Sequence, residues 1–234
     1  MHKLAILAMV LLSQPAMADD DISVSAGIRL WNLNYQGNGN AAGRTLAIGS
    51  RLVTNNDSGR ELAPILVGSI RYKEFGLSAS HFVKTSFLLT DTIQTSTVDR
   101  KESDIHASYF FLPGLSAGIG YKRVDLNDKL GTNPKIDGPI VSVSGAAALG
   151  SGFGLYGTLA LGKLKADSSF NTSNVAYTLS DVGLVYSFDG MMKGLSLTLG
   201  YRFQELKVKG SPIFNGQEFR DTTTGPALGL IGRF

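Results

Sequence analysis

The stretch "GLSLTLGYRF", residues 194–203, alternates apolar side chains with small or polar ones without a break. The apolar positions are Leu195, Leu197, Leu199, Tyr201 and Phe203. The positions between them are Ser196, Thr198, Gly200 and Arg202. Because successive side chains of a β-strand point to opposite faces, the stretch predicts a strand with one apolar face and one polar face.

The same period of two recurs along the chain, and helical periodicity is nearly absent after residue 18. It is clear in "DIHASYFF" (104–111), "LSAGIGYKR" (115–123) and "DVGLVYSF" (181–188). We predict ten strands, near 22–33, 61–72, 75–90, 98–112, 115–126, 139–149, 153–166, 174–188, 194–208 and 221–234. The stretch "RTLAIGSRLV" (44–53) would make an eleventh, and we interpret it as a hairpin within the first long loop.

The polar faces and the connections favour an antiparallel, up-and-down transmembrane β-barrel over a soluble half-exposed sheet. The polar faces are rich in Gly, Ser and Ala and carry isolated charges: Arg29, Arg71, Asp104, Lys122, Asp181 and Arg202. Short and long connections alternate, as they do in barrels with tight periplasmic turns and larger outer loops. The fold class is therefore all-β, with ten strands preferred and eight or twelve as alternatives.

Aromatic residues near both ends of the apolar faces indicate two interfacial rings about 25 Å apart. The turn-side set is Tyr72, Phe75, Phe111, Phe153, Phe188 and Phe234. The loop-side set is Tyr121, Tyr177 and Tyr201.

The first 18 residues have the features of a cleaved signal peptide. Lys3 supplies a basic start, an apolar run follows, and Ala16-Met17-Ala18 is a small-x-small cleavage site, so we expect cleavage after Ala18. Residues 19–234 then form one barrel domain. There is no cysteine, so disulfides and thiolate metal sites are excluded. The near-neutral charge gives no indication of nucleic-acid binding, and no motif indicates a cofactor or a metal.

With these features the chain resembles the small, single-chain β-barrel proteins of bacterial outer membranes. The resemblance implies location in a Gram-negative outer membrane, contact with its lipid and lipopolysaccharide, and insertion by the barrel-assembly machinery. The ending "ALGLIGRF" (227–234) is similar to the C-terminal strand signal of this class, through Gly229, Leu230 and the terminal Phe234. Gly232 stands where the class has a further aromatic residue.

Two enzymatic alternatives remain open at this point. His106 and Ser108 lie two residues apart on one strand face, which resembles the histidine-serine pair of lipid A deacylase barrels, although Tyr109 replaces that family's asparagine. A histidine hydrogen-bonded to Asp104 is the structural alternative. A protease of the ten-stranded outer-membrane kind would need paired acids and an Asp-His pair at the outer rim. The nearest candidates are Asp91, Asp99, Glu102, Asp104 and His81.

Whether the barrel interior is closed or filled with water distinguishes the remaining functions. Inward Gly, Ser and Ala leave room, while Arg29, Arg71 and Arg202 can pair with an acidic set made up of Glu102, Asp104 and Asp181. Paired charges would close the lumen, and the protein would then have a structural or surface-interaction role. We prefer this interpretation. A wet lumen would make a narrow, porin-like pore for small solutes. A soluble barrel that binds an apolar ligand inside is the third possibility.

Overall fold

The computed structural model describes residues 22–40, 46–48, 51–53, 55–90, 95–128, 134–168, 171–188, 194–208 and 218–234. The predicted signal peptide, residues 1–18, lies outside this part of the chain, and so does Asp91. No helix among the described residues is long and apolar enough to cross a membrane.

The described residues form twelve strands, ten of which close into one antiparallel barrel. The strands are β1 (Ile22–Asn40), β2 (Leu46–Ile48), β3 (Arg51–Val53), β4 (Asn55–Tyr72), β5 (Phe75–Thr90), β6 (Thr95–Leu112), β7 (Leu115–Asp128), β8 (Lys135–Gly150), β9 (Phe153–Ser168), β10 (Asn171–Ser187), β11 (Leu195–Val208) and β12 (Glu218–Arg233). The order around the barrel is β1-β12-β11-β10-β9-β8-β7-β6-β5-β4, which closes back onto β1. The prediction of a ten-stranded, up-and-down barrel is confirmed. The stretch 44–53 contains the separate hairpin β2–β3.

The seam of the barrel joins β1 to β12, the first and the last of its strands. Leu30 of β1 lies opposite Leu228 of β12 on one side and Pro64 of β4 on the other. At the last residue, the Phe234 N–H donates to the Val24 carbonyl at 2.8 Å, and the Val24 N–H donates to the Phe234 carbonyl at 3.2 Å. No barrel strand is left with a free edge, which is the condition for a sheet to stand in hydrocarbon.

An apolar band surrounds the barrel at the end where the short turns lie. On β1 it runs over alternate positions from Ile22 to Leu30. Nine residues at about 3.3 Å each, inclined by about 40°, rise roughly 23 Å, which matches the apolar height of outer-membrane barrels. The turn-side aromatics lie at its lower edge; those exposed on the outer face are Tyr72, Phe75, Phe111, Phe153 and Phe234.

The loop-side aromatic ring is only partly as predicted. Tyr121 and Tyr201 are half exposed on the outer face, at 48% and 53%. Tyr177 is buried at 2% and faces the interior, so its placement in the outer ring is wrong. The physical reason is that β10 turns Tyr177 to the same face as Asp181, four residues further on.

Beyond the apolar band the polarity of the two strand faces is exchanged, as β1 shows. On β1 the outward residues change from Ile28 and Leu30 to Asn32 and Asn34, while the inward residues become Trp31 and Leu33. Where a barrel's outer face meets water, apolar residues are stabilised on the inside instead. The barrel therefore continues past the band with an apolar interior. The predicted strands near 22–33 and 61–72 are too short at the loop ends because their apolar outward face stops there although the strand does not.

The prediction of a small and polar interior therefore holds only in the turn-side half. There, hydroxyl pairs link neighbouring strands, such as Ser25 with Ser69 at 2.7 Å and Ser144 with Thr158 at 3.0 Å. In the loop-side half the interior contains two clusters of buried apolar side chains. The tryptophan cluster consists of Trp31, Leu33, Tyr35, Ala63, Ile65, Phe82, Phe87 and Ala227. The leucine cluster consists of Val124, Ile136, Ile140, Ala160, Leu164, Val175, Tyr177, Leu179, Leu206 and Val208.

Candidate functional site: a charge network across the barrel interior

A network of charged side chains crosses the barrel interior where the polar half meets the apolar half. We call it the lumen network and define it by eight residues: Arg29, Arg100, Glu102, Asp104, Lys122, Asp181, Arg202 and Asp221. Each lies on the inward face of a barrel strand, because it alternates with outward residues of the same strand. Four are cationic and four are acidic, so the network is neutral as a whole.

Arg29 and Asp181 form the part of the network nearest the turns. Arg29 Nη1 donates to Asp181 Oδ2 at 2.6 Å and its Nη2 to Oδ1 at 3.1 Å, a two-pronged contact between β1 and β10. Two strands separate β1 from β10 around the barrel, so the pair spans part of the lumen. Arg202 also reaches Asp181, at 3.4 Å, and Tyr156 accepts from Arg29 at 2.9 Å.

Small residues make room for these large side chains. A Cβ on Gly200 would clash with the Tyr156 hydroxyl and would approach the Val182 carbonyl to 2.6 Å. A Cβ on Gly229 would come within 2.7 Å of Arg29 Cγ. The glycines of the polar faces therefore provide the space into which the network folds.

Asp104 is the centre of a second part of the network, on β5 to β7. Ser80 donates to Asp104 Oδ2 at 2.9 Å, Lys122 Nζ lies 3.4 Å from the same oxygen, and His106 Nε2 lies 3.4 Å from Oδ1. The carboxylate thus has partners on three adjacent strands. Gly120 leaves the space beside His106, since a Cβ there would lie 2.8 Å from Nδ1.

Glu102 connects the network across the barrel. Its Oε1 accepts from Arg100 at 2.5 Å and from Gln204 Nε2 at 2.8 Å, and its Oε2 lies 2.5 Å from Lys122 Nζ. Arg100 also donates to Asp221 on β12 at 2.6 Å, and three strands separate β6 from β12. These side chains are almost fully shielded: Arg100 is 0% exposed and Lys122 is 1% exposed.

Aromatic rings complete the shielding of the cations. Trp31 lies under the Arg202 guanidinium at 5.1 Å, Tyr177 under the Lys122 ammonium at 5.4 Å, and Tyr35 under the Arg100 guanidinium at 5.3 Å. The Tyr35 hydroxyl also donates to Asp221 at 3.0 Å. A buried charge is tolerated only when its partners are close and its remaining hydrogen-bonding groups are satisfied, and this arrangement supplies most of those contacts.

Five of the six charges predicted for the interior lie in this network; they are Arg29, Asp104, Lys122, Asp181 and Arg202. Arg71 does not join them. It lies next to the β4–β5 turn, where its Nε donates to the Lys73 carbonyl at 2.9 Å and its guanidinium lies 4.0 Å from the Phe110 ring centroid. The inward face of β4 opens to water at the turn, so Arg71 needs no acidic partner there.

Sequence reasoning missed Arg100 and Asp221 and named Glu102 only as a possible partner. One signal was available, since Arg100, Glu102 and Asp104 alternate on one face of β6. Asp221 gives no such signal, because its neighbours on that face are Thr223 and Gly225. Only the closure of β12 against β1 and β11 brings it to Arg100.

The residues considered for the two enzymatic alternatives do not come together in one site. His106 contacts Asp104, and Ser108 donates to the Gly76 carbonyl at 3.4 Å rather than to His106. His81 faces outward and lies 2.9 Å from the Ser103 hydroxyl. Of the predicted rim acids, Asp99 pairs with Lys84 at 2.7 Å on the outer face, whereas Glu102 and Asp104 lie in the lumen network. Within the described ranges, no three His, Asp or Glu side chains come together in a way that could hold a metal ion.

The terminal residues of the predicted assembly signal lie in the seam. Leu230 and Phe234 are exposed on the outer face, at 44% and 83%, and Gly229 faces the lumen beside Arg29. The Phe234 ring lies over Gly232, where a Cβ would be 3.3 Å from the ring. The ring therefore occupies the outer surface that a side chain at position 232 would cover.

Comparisons with known proteins give the fold and nothing finer. No protein-family model matches the sequence, and no curated protein matches it significantly. The outer membrane protease OmpT of Escherichia coli is similar in structure, with a TM-score of 0.55 and 13% identity over 91% of this chain and 97% of that one.

Two other solved structures align with lower scores. The toluene transporter TodX of Pseudomonas putida has a TM-score of 0.36 and 8% identity, over 92% of this chain and 90% of that one. A FadL homologue of Pseudomonas aeruginosa has a TM-score of 0.33 and 12% identity over the same shares. With its ten antiparallel strands closed into one barrel, the chain has the fold of bacterial outer-membrane β-barrel proteins.

Proposed function

We propose that this protein is an integral outer-membrane β-barrel whose lumen is closed by the lumen network, and that it acts as a structural or surface-interaction protein rather than as a passive pore. The observation that carries the proposal is the hydrogen bond from Gln204 to Glu102. Strands β11 and β6 lie five positions apart in a ring of ten, so this contact spans the full width of the barrel.

The contacts around this hydrogen bond support closure over the whole cross-section. Arg100 to Asp221 and Arg29 to Asp181 cross the lumen in other directions. The tryptophan cluster fills the interior on the side of β1, β4 and β5, and the leucine cluster fills it on the side of β7 to β11. An ion would have to separate several buried ion pairs at once, at a cost of several kcal/mol for each charge left uncompensated in the low-dielectric interior.

The apolar band supports the membrane placement. Its exposed residues include Leu159 at 52% and Leu199 at 55%, in the middle of strands whose opposite face is polar or small. A soluble barrel would have the reverse arrangement at this level. We further propose export with a signal peptide cleaved after Ala18, insertion by the barrel-assembly machinery of a Gram-negative cell, and contact with outer-membrane lipid.

Planar-bilayer recording tests the closed lumen. The purified wild-type barrel should give no stable unitary current steps. A quadruple variant, Arg100→Ala with Glu102→Ala, Lys122→Ala and Asp221→Ala, removes two cations and two acids, so it opens the cross-section while the remaining lumen network stays neutral as a whole. It should produce steps. Lys84→Ala with Asp99→Ala removes a neutral pair from the outer face and should remain silent.

Stable steps from the wild-type barrel would refute closure. Membrane fractionation and heat-modifiable gel migration test the placement independently. Recovery of the protein with the soluble periplasm would refute the membrane assignment, whatever the conductance result.

A further inference from the structure

Among the described barrel strands, the ladder between β4 and β5 has one long interruption. The two strands pair without a break from the turn up to Ile65 and Phe82, and they pair again at Asp57 and Thr90. Between these points, seven residues of each strand form no ladder pair with the other strand. We call this stretch the wall gap; it consists of residues 58–64 and 83–89. Interruptions between the other described strands leave at most two residues of a strand out of the ladder.

A β-bulge on each strand accounts for the wall gap. On β4 the bulge is Ser58–Gly59, where Gly59 has a φ of 68°. On β5 it is Val83–Lys84. An extra residue in a strand exchanges its inward and outward faces relative to the unbulged register. Because the two bulges lie at opposite ends of the wall gap, inward residues of one strand fall opposite outward residues of the other between them.

Apolar side chains lie on both sides of the wall gap. On the outer face, Leu62 and Leu88 are exposed at 60% and 52%. On the inner face, Ala63 and Phe87 are fully buried and belong to the tryptophan cluster. The wall gap therefore separates an apolar outer surface from an apolar interior, without the hydrogen-bonded ladder that separates them elsewhere.

The outer side of the wall gap is continuous with the apolar band. Leu66, an exposed residue of the band, is followed outward along β4 by Pro64 and then by Leu62. Pro64 has no N–H to donate to a ladder, which is why proline in a sheet is confined to edges and irregular places. These three residues form an apolar row from the band to the wall gap, so an apolar molecule can reach the gap without leaving apolar surface.

The inner side of the wall gap is lined by aromatic rings. Phe82, where the uninterrupted ladder ends, meets Trp31 edge-on with ring centroids 6.2 Å apart. The rings of Tyr35 and Phe87 lie 5.2 Å apart. The guanidinium of Arg202, part of the lumen network, lies over the Trp31 ring on the side of the polar half. A molecule among these rings would therefore contact aromatic carbon and would not have to cross the lumen network.

We infer that the wall gap is a lateral entrance through which a small, uncharged apolar molecule passes between the membrane boundary and the tryptophan cluster. The two strands can separate there without breaking ladder hydrogen bonds, so local opening costs less than at any continuous ladder. The apolar row outside and the aromatic rings inside favour an uncharged apolar molecule. The inference goes beyond the proposed function and does not depend on closure of the lumen.

Trp31 provides the readout, because it is the only tryptophan in the sequence. The folded mature barrel in phospholipid vesicles is titrated with bromobenzene, a small apolar quencher of tryptophan fluorescence, and separately with iodide. Bromobenzene should quench Trp31 although this residue is fully buried, and iodide should not. Absence of quenching by bromobenzene, or equally strong quenching by iodide, would overturn the inference.

A double deletion closes the wall gap. Removing Ser58 and Lys84 takes one residue out of each bulge, so that the inward Ala63 comes to lie opposite the inward Thr85 and the ladder becomes continuous. The matched control, Ser58→Ala with Lys84→Ala, removes the same side chains and keeps both bulges. The quenching constant of bromobenzene should fall several-fold in the deletion variant and stay at the wild-type value in the control. Equal quenching of the two variants would refute the entrance.

Hydrogen exchange of the wild-type barrel tests the wall gap without any variant. Amides of residues 58–64 and 83–89 should exchange faster than those of residues 161–164 and 175–178, where β9 and β10 form a continuous ladder beyond the band. Equal protection of the two regions would show a closed wall and would overturn the inference. Heat-modifiable migration first establishes that both variants are folded. None of these results depends on whether the lumen conducts, so the entrance and the closed lumen can fail separately.

Discussion

Gln204 and Glu102 hydrogen-bond across the entire width of the barrel, from β11 to β6, with Gln204 Nε2 donating to Glu102 Oε1 at 2.8 Å. The two residues are 102 positions apart in sequence and both are buried. The same carboxylate also binds Arg100 and Lys122. One buried acid thus holds two cations and a cross-lumen amide, which makes Glu102 the residue that links the two sides of the lumen network.

Replacing Glu102 by Ala should destabilise the barrel more than a typical core substitution. The change leaves Arg100 with Asp221 alone and leaves Lys122 with the more distant Asp104, so buried cationic charge loses its compensation. Removing one partner of a buried ion pair costs about 3–5 kcal/mol. Urea titration of the barrel refolded in micelles measures the free energy of unfolding.

The control for this variant is Glu205→Ala. Glu205 lies on the outer face of β11 and pairs with Arg220 at 3.8 Å in an exposed position. Exposed pairs contribute about 0–1 kcal/mol, so this change should be nearly neutral. Equal effects of the two substitutions would show that the buried network contributes little to stability.

Gly200→Ala should disturb the network through sterics alone. A Cβ at this position meets the Tyr156 hydroxyl and the Val182 carbonyl, and the carbonyl belongs to the adjacent strand backbone and cannot rotate away. Overpacking of this kind costs roughly 1–3 kcal/mol. Gly145→Ala is the matched control, since a Cβ there has no neighbour closer than 3.6 Å. Thermal unfolding of both variants, followed by far-ultraviolet circular dichroism, should show a lower midpoint for Gly200→Ala only.

Leu199→Lys tests the apolar band. Leu199 is exposed on the outer face, well inside the band, and has Leu197 and Tyr201 as its outward neighbours on β11. A lysine near the bilayer midplane costs about 2–4 kcal/mol, falling to about 0–1 near the interfaces. Folding into phospholipid vesicles should therefore be impaired for Leu199→Lys. It should be nearly normal for Thr178→Lys, which lies outward beyond the band. Similar folding of the two variants would contradict the position of the band.

Deleting Phe234 should reduce the amount of folded barrel in the outer membrane. The backbone of Phe234 forms two hydrogen bonds with Val24. Its aromatic ring lies exposed at the lower edge of the band. Quantitative gel migration of unheated membrane samples measures the folded fraction in cells. Phe234→Tyr keeps both features and should fold at close to the wild-type level. Wild-type amounts of folded protein after the deletion would refute the role assigned to this residue.

Much of the outer surface follows from local sequence. The alternation in 194–203 identifies which residues of β11 face outward, because the two faces of a strand are separated by one residue and no tertiary information is needed. The same holds for the turn-side aromatics and for Phe234. The strand ends next to the loops were predicted less well. After Leu30 the apolar residues of β1 face inward, so the outward apolar pattern stops although β1 continues to Asn40.

The contacts between residues in the barrel interior could be predicted from the sequence only in part. The inward positions of Arg29 and Asp181 follow from alternation, but their pairing depends on how two strands 152 residues apart face each other across the lumen. Arg71 faces inward like Arg29 and yet is exposed beside the β4–β5 turn, because burial of a charge depends on its position along the strand as well as on its strand face.

By itself, the sequence predicted an antiparallel, up-and-down barrel of about ten strands, with eight or twelve as alternatives, an apolar outer face and an aromatic residue at the end of the last strand. These properties depend on the period of two and on the order of short and long connections, which are local. Only the tertiary structure decided that the lumen is crossed from Glu102 to Gln204 and that Asp221 meets Arg100. Each of these depends on strand register around the closed ring, and closure brings together residues that no local pattern relates.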